Sequence, residues 1–149
     1  MNVLLTVGNG MMGDDGAGVL LAQMLRDQPL EDWAALNGGS APENVVHRIR
    51  EMDASRVLVV DAADMDLEPG SVRRIHADRL DDPFLMTTHT LPLTFLIESL
   101  REFVPQVELL GIQPRMVAFG YPMSDEVRAA VGQVYADLKN GATDWGACN

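Results

Sequence analysis

The run Gly8-Asn9-Gly10-Met11-Met12-Gly13-Asp14-Asp15-Gly16-Ala17-Gly18 decides how the rest of the chain is read. It follows the apolar segment Val3 to Val7 and precedes Val19, Leu20, Met24 and Leu25, which repeat at helical spacing. A strand, a glycine-rich turn and a helix are predicted in that order. The literal pattern Gly8-x-Gly10-x-x-Gly13 matches a dinucleotide fingerprint, so a nucleotide-binding, Rossmann-like protein is the obvious rival reading. Against it stand Asp14 and Asp15 at the helix start, where a pyrophosphate would meet two like charges in place of favourable backbone donors. The acid expected at the end of a second strand is missing too, because Ala35-Leu36-Asn37-Gly38-Gly39 offers only an amide. Two carboxylates in such a turn point to a cation instead.

Outward from this turn, strand-like and helix-like segments alternate. Trp33 to Leu36 is a candidate second strand, and Pro42-Glu43-Asn44 opens a helix to about Met52. Arg56 to Val60 is the clearest buried strand. Val72 to Ile75 reads as another, nearer an edge because Arg73 and Arg74 break its apolar run. Leu96, Ile97, Leu100 and Phe103 form a helical stripe after Leu93, followed by a strand at Val107 to Ile112 and a candidate strand at Val117 to Phe119. Ser124-Asp125-Glu126 starts a last helix that turns Val127, Val131, Val134 and Leu138 inward. Parallel neighbours need a crossover and the helices supply it. The expected fold is therefore α/β, a single three-layer domain over residues 1–140 with a largely parallel, twisted sheet of about five strands and helices on both faces. The Gly-containing tail, residues 141–149, is expected to be flexible.

In sheets of this kind ligands collect at the carboxyl ends of the strands. Asp15 follows the first strand, Asp61 ends the run Val57-Leu58-Val59-Val60, and His89 stands in Thr87-Thr88-His89-Thr90 before a helix. Two carboxylates and an imidazole can converge on one metal ion. Each also has a plainer role. Asp14 or Asp15 can cap the first helix, and for Asp14 that role is preferred. Asp61 can serve as a strand-end turn acid, with Asp64 able to substitute, and His89 can satisfy a helix start. His47 and His76 lack acidic partners at useful positions and read as surface or structural residues. Spacing alone does not show that the three candidates meet.

Composition narrows the partners. The 149 residues suit one compact unit. A net charge of −11, from 22 acids and 11 bases, disfavours both nucleic acid and anionic membrane as partners. The single cysteine, Cys148, excludes a disulfide framework and a cysteine metal cluster, and is expected to be an incidental exposed thiol. Neither a signal peptide nor a membrane-spanning run is visible, so a cytoplasmic protein is expected.

Several motifs in order carry a resemblance that covers most of the chain. They are GNGMMGDDGAG from Gly8, GGSAPEN at Gly38 to Asn44, VVDAADM at Val59 to Met65, MTTHTLPL at Met86 to Leu93, and LLGIQP at Leu109 to Pro114. The chain resembles the hydrogenase maturation endopeptidases. Within that family it is most similar to the type serving hydrogenase-3, the nickel-iron hydrogenase of the formate hydrogenlyase complex. The resemblance implies a protease that removes a carboxy-terminal extension from the hydrogenase large-subunit precursor after nickel insertion. It also implies three metal-binding positions, which fall on Asp15, Asp61 and His89, the residues already singled out. Many relatives carry glutamate at the first position, where this chain has Asp15.

The implied chemistry is metal-assisted peptide hydrolysis with Asp15, Asp61 and His89 as catalytic ligands, and with Asp14 or Asp64 as proton carrier. Nickel enters either as a signal recognised in the precursor or as an ion bound at the site, and zinc accepts the same ligands. A non-catalytic nickel checkpoint or chaperone that binds the precursor without cutting it is the alternative.

Overall fold

The computed structural model describes residues 1–81 and 90–148, apart from the side chains at 42, 43, 77, 81 and 90–92. Within them the chain forms β1 (Asn2–Thr6), α1 (Ala17–Asp27), β2 (Trp33–Asn37), α2 (Val46–Glu51), β3 (Arg56–Ala62), β4 (Val72–Ile75), α3 (Thr90–Arg101), β5 (Gln106–Ile112) and α4 (Asp125–Asn140). Single 3-10 turns at Gly13–Gly16 and Pro42–Val45 lead into α1 and α2.

The five strands are ordered β2-β1-β3-β5-β4. β2, β1, β3 and β5 run parallel, and β4 closes one edge antiparallel to β5, with Ile75 opposite Leu109 and Val72 opposite Ile112. Side chains of a strand alternate between faces, and two core layers follow from that alternation. Val3, Leu5, Val57 and Val59 pack with Ile49 of α2 and Leu93, Leu96, Ile97 and Leu100 of α3. Leu4, Leu58, Val60, Leu110 and Ile112 pack on the other face with Leu21 and Leu25 of α1 and Val127, Val131 and Val134 of α4. The three-layer α/β fold is thus the one expected, as a mixed, mostly parallel sheet. The last helix begins where its cap predicts, with the Ser124 hydroxyl accepting from the Val127 amide and Gly141 ending it at φ +72°.

One expectation needs correction. Val117 to Phe119 is not a strand: Asp14 donates its amide to the Met116 carbonyl, and Gly120 donates to the Met11 carbonyl, so this stretch is bound to the glycine turn rather than to a sheet. Residues 145–148 of the tail make contacts with the rest of the chain. Trp145 is buried and donates its indole N–H to Asp137, while Arg74 donates to the Gly146 carbonyl and Cys148 to the Arg74 carbonyl, both at 2.8 Å. The tail covers the outer edge of β4, which would otherwise present open backbone donors and acceptors, and Cys148 is half-buried against the core.

Candidate functional site

The carboxyl ends of β1, β3 and β5 lie side by side, with Thr6 opposite Val60 and Asp61 opposite Gly111. The chain leaves β1 through Val7, whose amide bonds the Val60 carbonyl, and then turns sharply at Gly8 (φ +140°). A Cβ on Gly8 would stand 2.0 Å from the Asp15 carbonyl oxygen, so the turn folds back on itself only because that atom is absent. Gly18 performs the same service for α1, since a Cβ there would meet the Val7 carbonyl at 2.7 Å and the Thr6 Cβ at 3.0 Å. The helix is thereby seated directly on the strand end, and the intervening 3-10 turn packs on β3, the strand that carries Asp61.

Asp15 is only 4 % exposed, and its Oδ2 accepts the Asn9 amide at 2.9 Å. Asp61 is 1 % exposed and lies one residue before the end of β3, paired with Gly111. Its position in the alternation is shared with Val57 and Val59, which face the α3 layer, and α3 begins at Thr90, one residue after His89 in sequence. His89 itself lies outside the described residues. The structure therefore brings Asp15 and Asp61 to one edge of the sheet as buried acids, on neighbouring segments. Oxygen donors of this kind, with an imidazole, suit a divalent cation of the zinc or nickel class.

Asp14 behaves differently from its expected role. Its side chain caps neither the 3-10 turn nor α1. It is fully buried, and reaches more than a hundred residues along the chain: Oδ1 accepts the Ser124 amide at 2.7 Å, and Oδ2 accepts from Arg115 N at 2.7 Å, Met116 N at 3.1 Å and Ser124 Oγ at 2.9 Å. One carboxylate thus fixes the loop between β5 and α4 to the glycine turn. With four donors in place Asp14 is not available as a proton carrier. Asp64 is exposed, and its Oδ1 accepts from the Asp66 amide and from Gln113 Nε2, both at 3.1 Å.

Gln113 has no counterpart among the sequence expectations. Only 5 % exposed, it accepts the Met65 amide at 2.7 Å and the Leu67 amide at 3.3 Å through Oε1, and so holds the loop that follows Asp61. The signal available for it was its place directly after a strand, at the edge where sites are built. On the surface beside it, the Arg115 guanidinium bonds both carboxylate oxygens of Glu126, at 3.1 and 2.9 Å, and that hydrogen bonding holds the Glu126 carboxyl below the ordinary carboxylate range.

Several amides of the turn are already engaged within the protein. The amide of Met11 bonds the Asn9 side chain, that of Met12 bonds the Asn9 carbonyl, that of Asp15 bonds the Met12 carbonyl, and those of Asn9 and Asp14 are used as described. A dinucleotide loop needs such amides turned outward. Gly8 of the pattern serves tight packing, since its turn folds directly onto the Asp15 carbonyl.

Known proteins agree with this architecture. A sequence model of the HycI family, described as hydrogenase maturation protease, matches residues 19–140. The hydrogenase 3 maturation protease of Escherichia coli is 50 % identical over 138 residues, which cover 93 % of this chain and 88 % of that protein. The solution structure of the endopeptidase HycI from Escherichia coli superposes with a TM-score of 0.92 at 46 % identity, over 100 % of this chain and 97 % of that one. A nickel-iron hydrogenase maturation protease HycI from Thermococcus kodakarensis has a TM-score of 0.81 at 27 % identity, over 96 % and 92 % of the two chains.

Proposed function

The chain belongs to the hydrogenase maturation protease family and is a peptidase, and from that premise we propose that it removes the carboxy-terminal extension of a nickel-iron hydrogenase large-subunit precursor after nickel has been inserted. The observation that carries this reading is the burial of two carboxylates, Asp15 and Asp61, at the carboxyl edge of the sheet. Buried acids are costly to keep ionised unless a cation or hydrogen-bond donors compensate them. In this reading Asp15, Asp61 and His89 hold a divalent ion, nickel or zinc. When bound, such an ion supplies Lewis-acid polarisation of the scissile carbonyl and acidifies the attacking water.

The protein's own residues do the positioning. Asn9 fixes the Asp15 carboxylate through its amide, the pairing of β3 with β1 and β5 fixes Asp61, and Gln113 holds the segment after it. Asp64, exposed and tethered through one oxygen, is the acid from which a proton would exchange with water. Nickel already seated in the precursor belongs to the substrate in this scheme. The precursor is the partner, in the cytoplasm, with neither nucleic acid nor membrane involved. Among the described residues no helix is long and apolar enough to cross a membrane.

Intact-mass spectrometry of a nickel-loaded precursor, incubated with the wild type or with Asp61→Asn, tests the proposal. Loss of the tail with the wild type alone supports it. A precursor that binds and stays uncut points to the checkpoint role instead.

A further inference from the structure

Four large apolar side chains stand exposed on two segments that the backbone ties together. Met11 is 62 % exposed, Met116 46 %, Phe119 71 % and Tyr121 56 %. The Gly120 amide bonds the Met11 carbonyl and the Asp14 amide bonds the Met116 carbonyl, both at 2.9 Å, while the Asp14 carboxylate anchors Arg115, Met116 and Ser124. The group is therefore held against the turn that carries Asp15. A loop that merely joins β5 to α4 has no structural need for an exposed phenylalanine and tyrosine, whereas aromatic and methionine side chains are enriched where proteins meet partners.

From this arrangement we infer that Met11, Met116, Phe119 and Tyr121 form a docking surface for an apolar segment of the hydrogenase precursor, flanked by basic side chains, next to the bond to be cut. The inference rests on the proposed function and adds to it where the substrate is gripped. Charge decides the occupant. A second copy of this chain carries the same net charge of −11 and would be repelled. Beside the patch, Gln113 links the loop bearing Asp64, Asp66 and Glu68 to the segment that continues into Arg115, and Arg115 feels the charge of Glu68 while its guanidinium is bonded to Glu126. These acids favour a positively charged flank on the partner.

The test uses the full chain and the nickel-loaded precursor, comparing wild type, the double variant Phe119→Ala/Tyr121→Ala, and the conservative Phe119→Leu. Both aromatic residues are exposed, so the double variant should keep the wild-type melting temperature. Steady-state cleavage should show KM raised about tenfold to hundredfold with kcat kept, as for loss of an anchor that binds substrate and transition state alike, and Phe119→Leu should recover most of the loss. Wild-type cleavage with an unchanged KM in the double variant overturns the docking surface and leaves the proposed function standing. A fall in kcat at constant KM also overturns it, by placing these residues in the chemistry. So does sedimentation that shows the wild type as a dimer and the double variant as a monomer with unaltered KM, since the patch would then belong to a second copy. A wild type that neither cuts nor binds the precursor removes both readings.

Discussion

Replacing Asp14 with alanine should unlock the loop between β5 and α4 and destabilise the whole protein. Asp14 is fully buried and accepts four hydrogen bonds from Arg115, Met116 and Ser124. Hydrogen bonds to a charged group contribute about 1.5–3 kcal/mol each, so four taken at face value give roughly 6–12 kcal/mol. That sum overstates the loss, because the four bonds close one loop and are not additive. Arg115 and Met116 are exposed and Ser124 is half-buried, so water can reach their amides once the loop retreats. A loss of about 3–5 kcal/mol is the expected outcome. For a protein of this size that corresponds to a melting midpoint lower by on the order of 10 °C. Asn at the same position should not rescue, because its amide group would turn two hydrogens toward donors. Urea unfolding followed by circular dichroism gives the free energy, and cleavage of the precursor by the surviving folded protein should show a raised KM as Met116, Phe119 and Tyr121 lose their fixed position. If both Asp14→Ala and Asp14→Asn unfold within about 1 kcal/mol of wild type, below the usual loss for one charged hydrogen bond, the clamp carries no stability and the reasoning fails.

Asp15→Asn and Asp61→Asn should each lower precursor cleavage by about a hundredfold or more, the effect of weakening a catalytic metal site; equilibrium dialysis against nickel and zinc, without precursor, should show weaker uptake in both, and wild-type uptake by either would remove that residue from the ligand set. Gly18→Ala would drive a Cβ to 2.7 Å from the Val7 carbonyl, and the forced shift of α1 should cost about 1–3 kcal/mol, read from the same unfolding curves. Trp145→Ala should cost about 3 kcal/mol or somewhat more and should speed amide exchange at Arg74, whose N–H is paired with the tail; unchanged exchange would mean that the tail does not protect the edge of β4.

The existence and order of β1, α1, β3 and α4 were legible in the sequence because their signals are local: a hydrophobic period, a Ser124 cap and glycines at turns. Val117 to Phe119 misled for the same reason. Its apolar run carries strand propensity, and nothing nearby in sequence reveals that the flanking amides and carbonyls are taken by a turn about a hundred residues earlier. Cys148 is half-buried and not exposed for a related reason, since the pairing of its amide with Arg74 is set by a residue distant in sequence.

The sequence alone determined that two adjacent acids occupy a glycine turn after a strand, that a third acid ends the central strand, and that their chemistry suits a cation better than a phosphate. Residue type and order suffice for that, because they set charge and position along the strands. Only the tertiary structure separated the two neighbours, leaving Asp15 beside β3 with a bond from Asn9 and committing Asp14 to the Ser124 loop. Adjacent residues on a 3-10 turn point in different directions, and which direction meets the strand and which the distant loop depends on how β1, β3 and β5 line up. That alignment is a property of the assembled sheet, and no segment of the chain contains it.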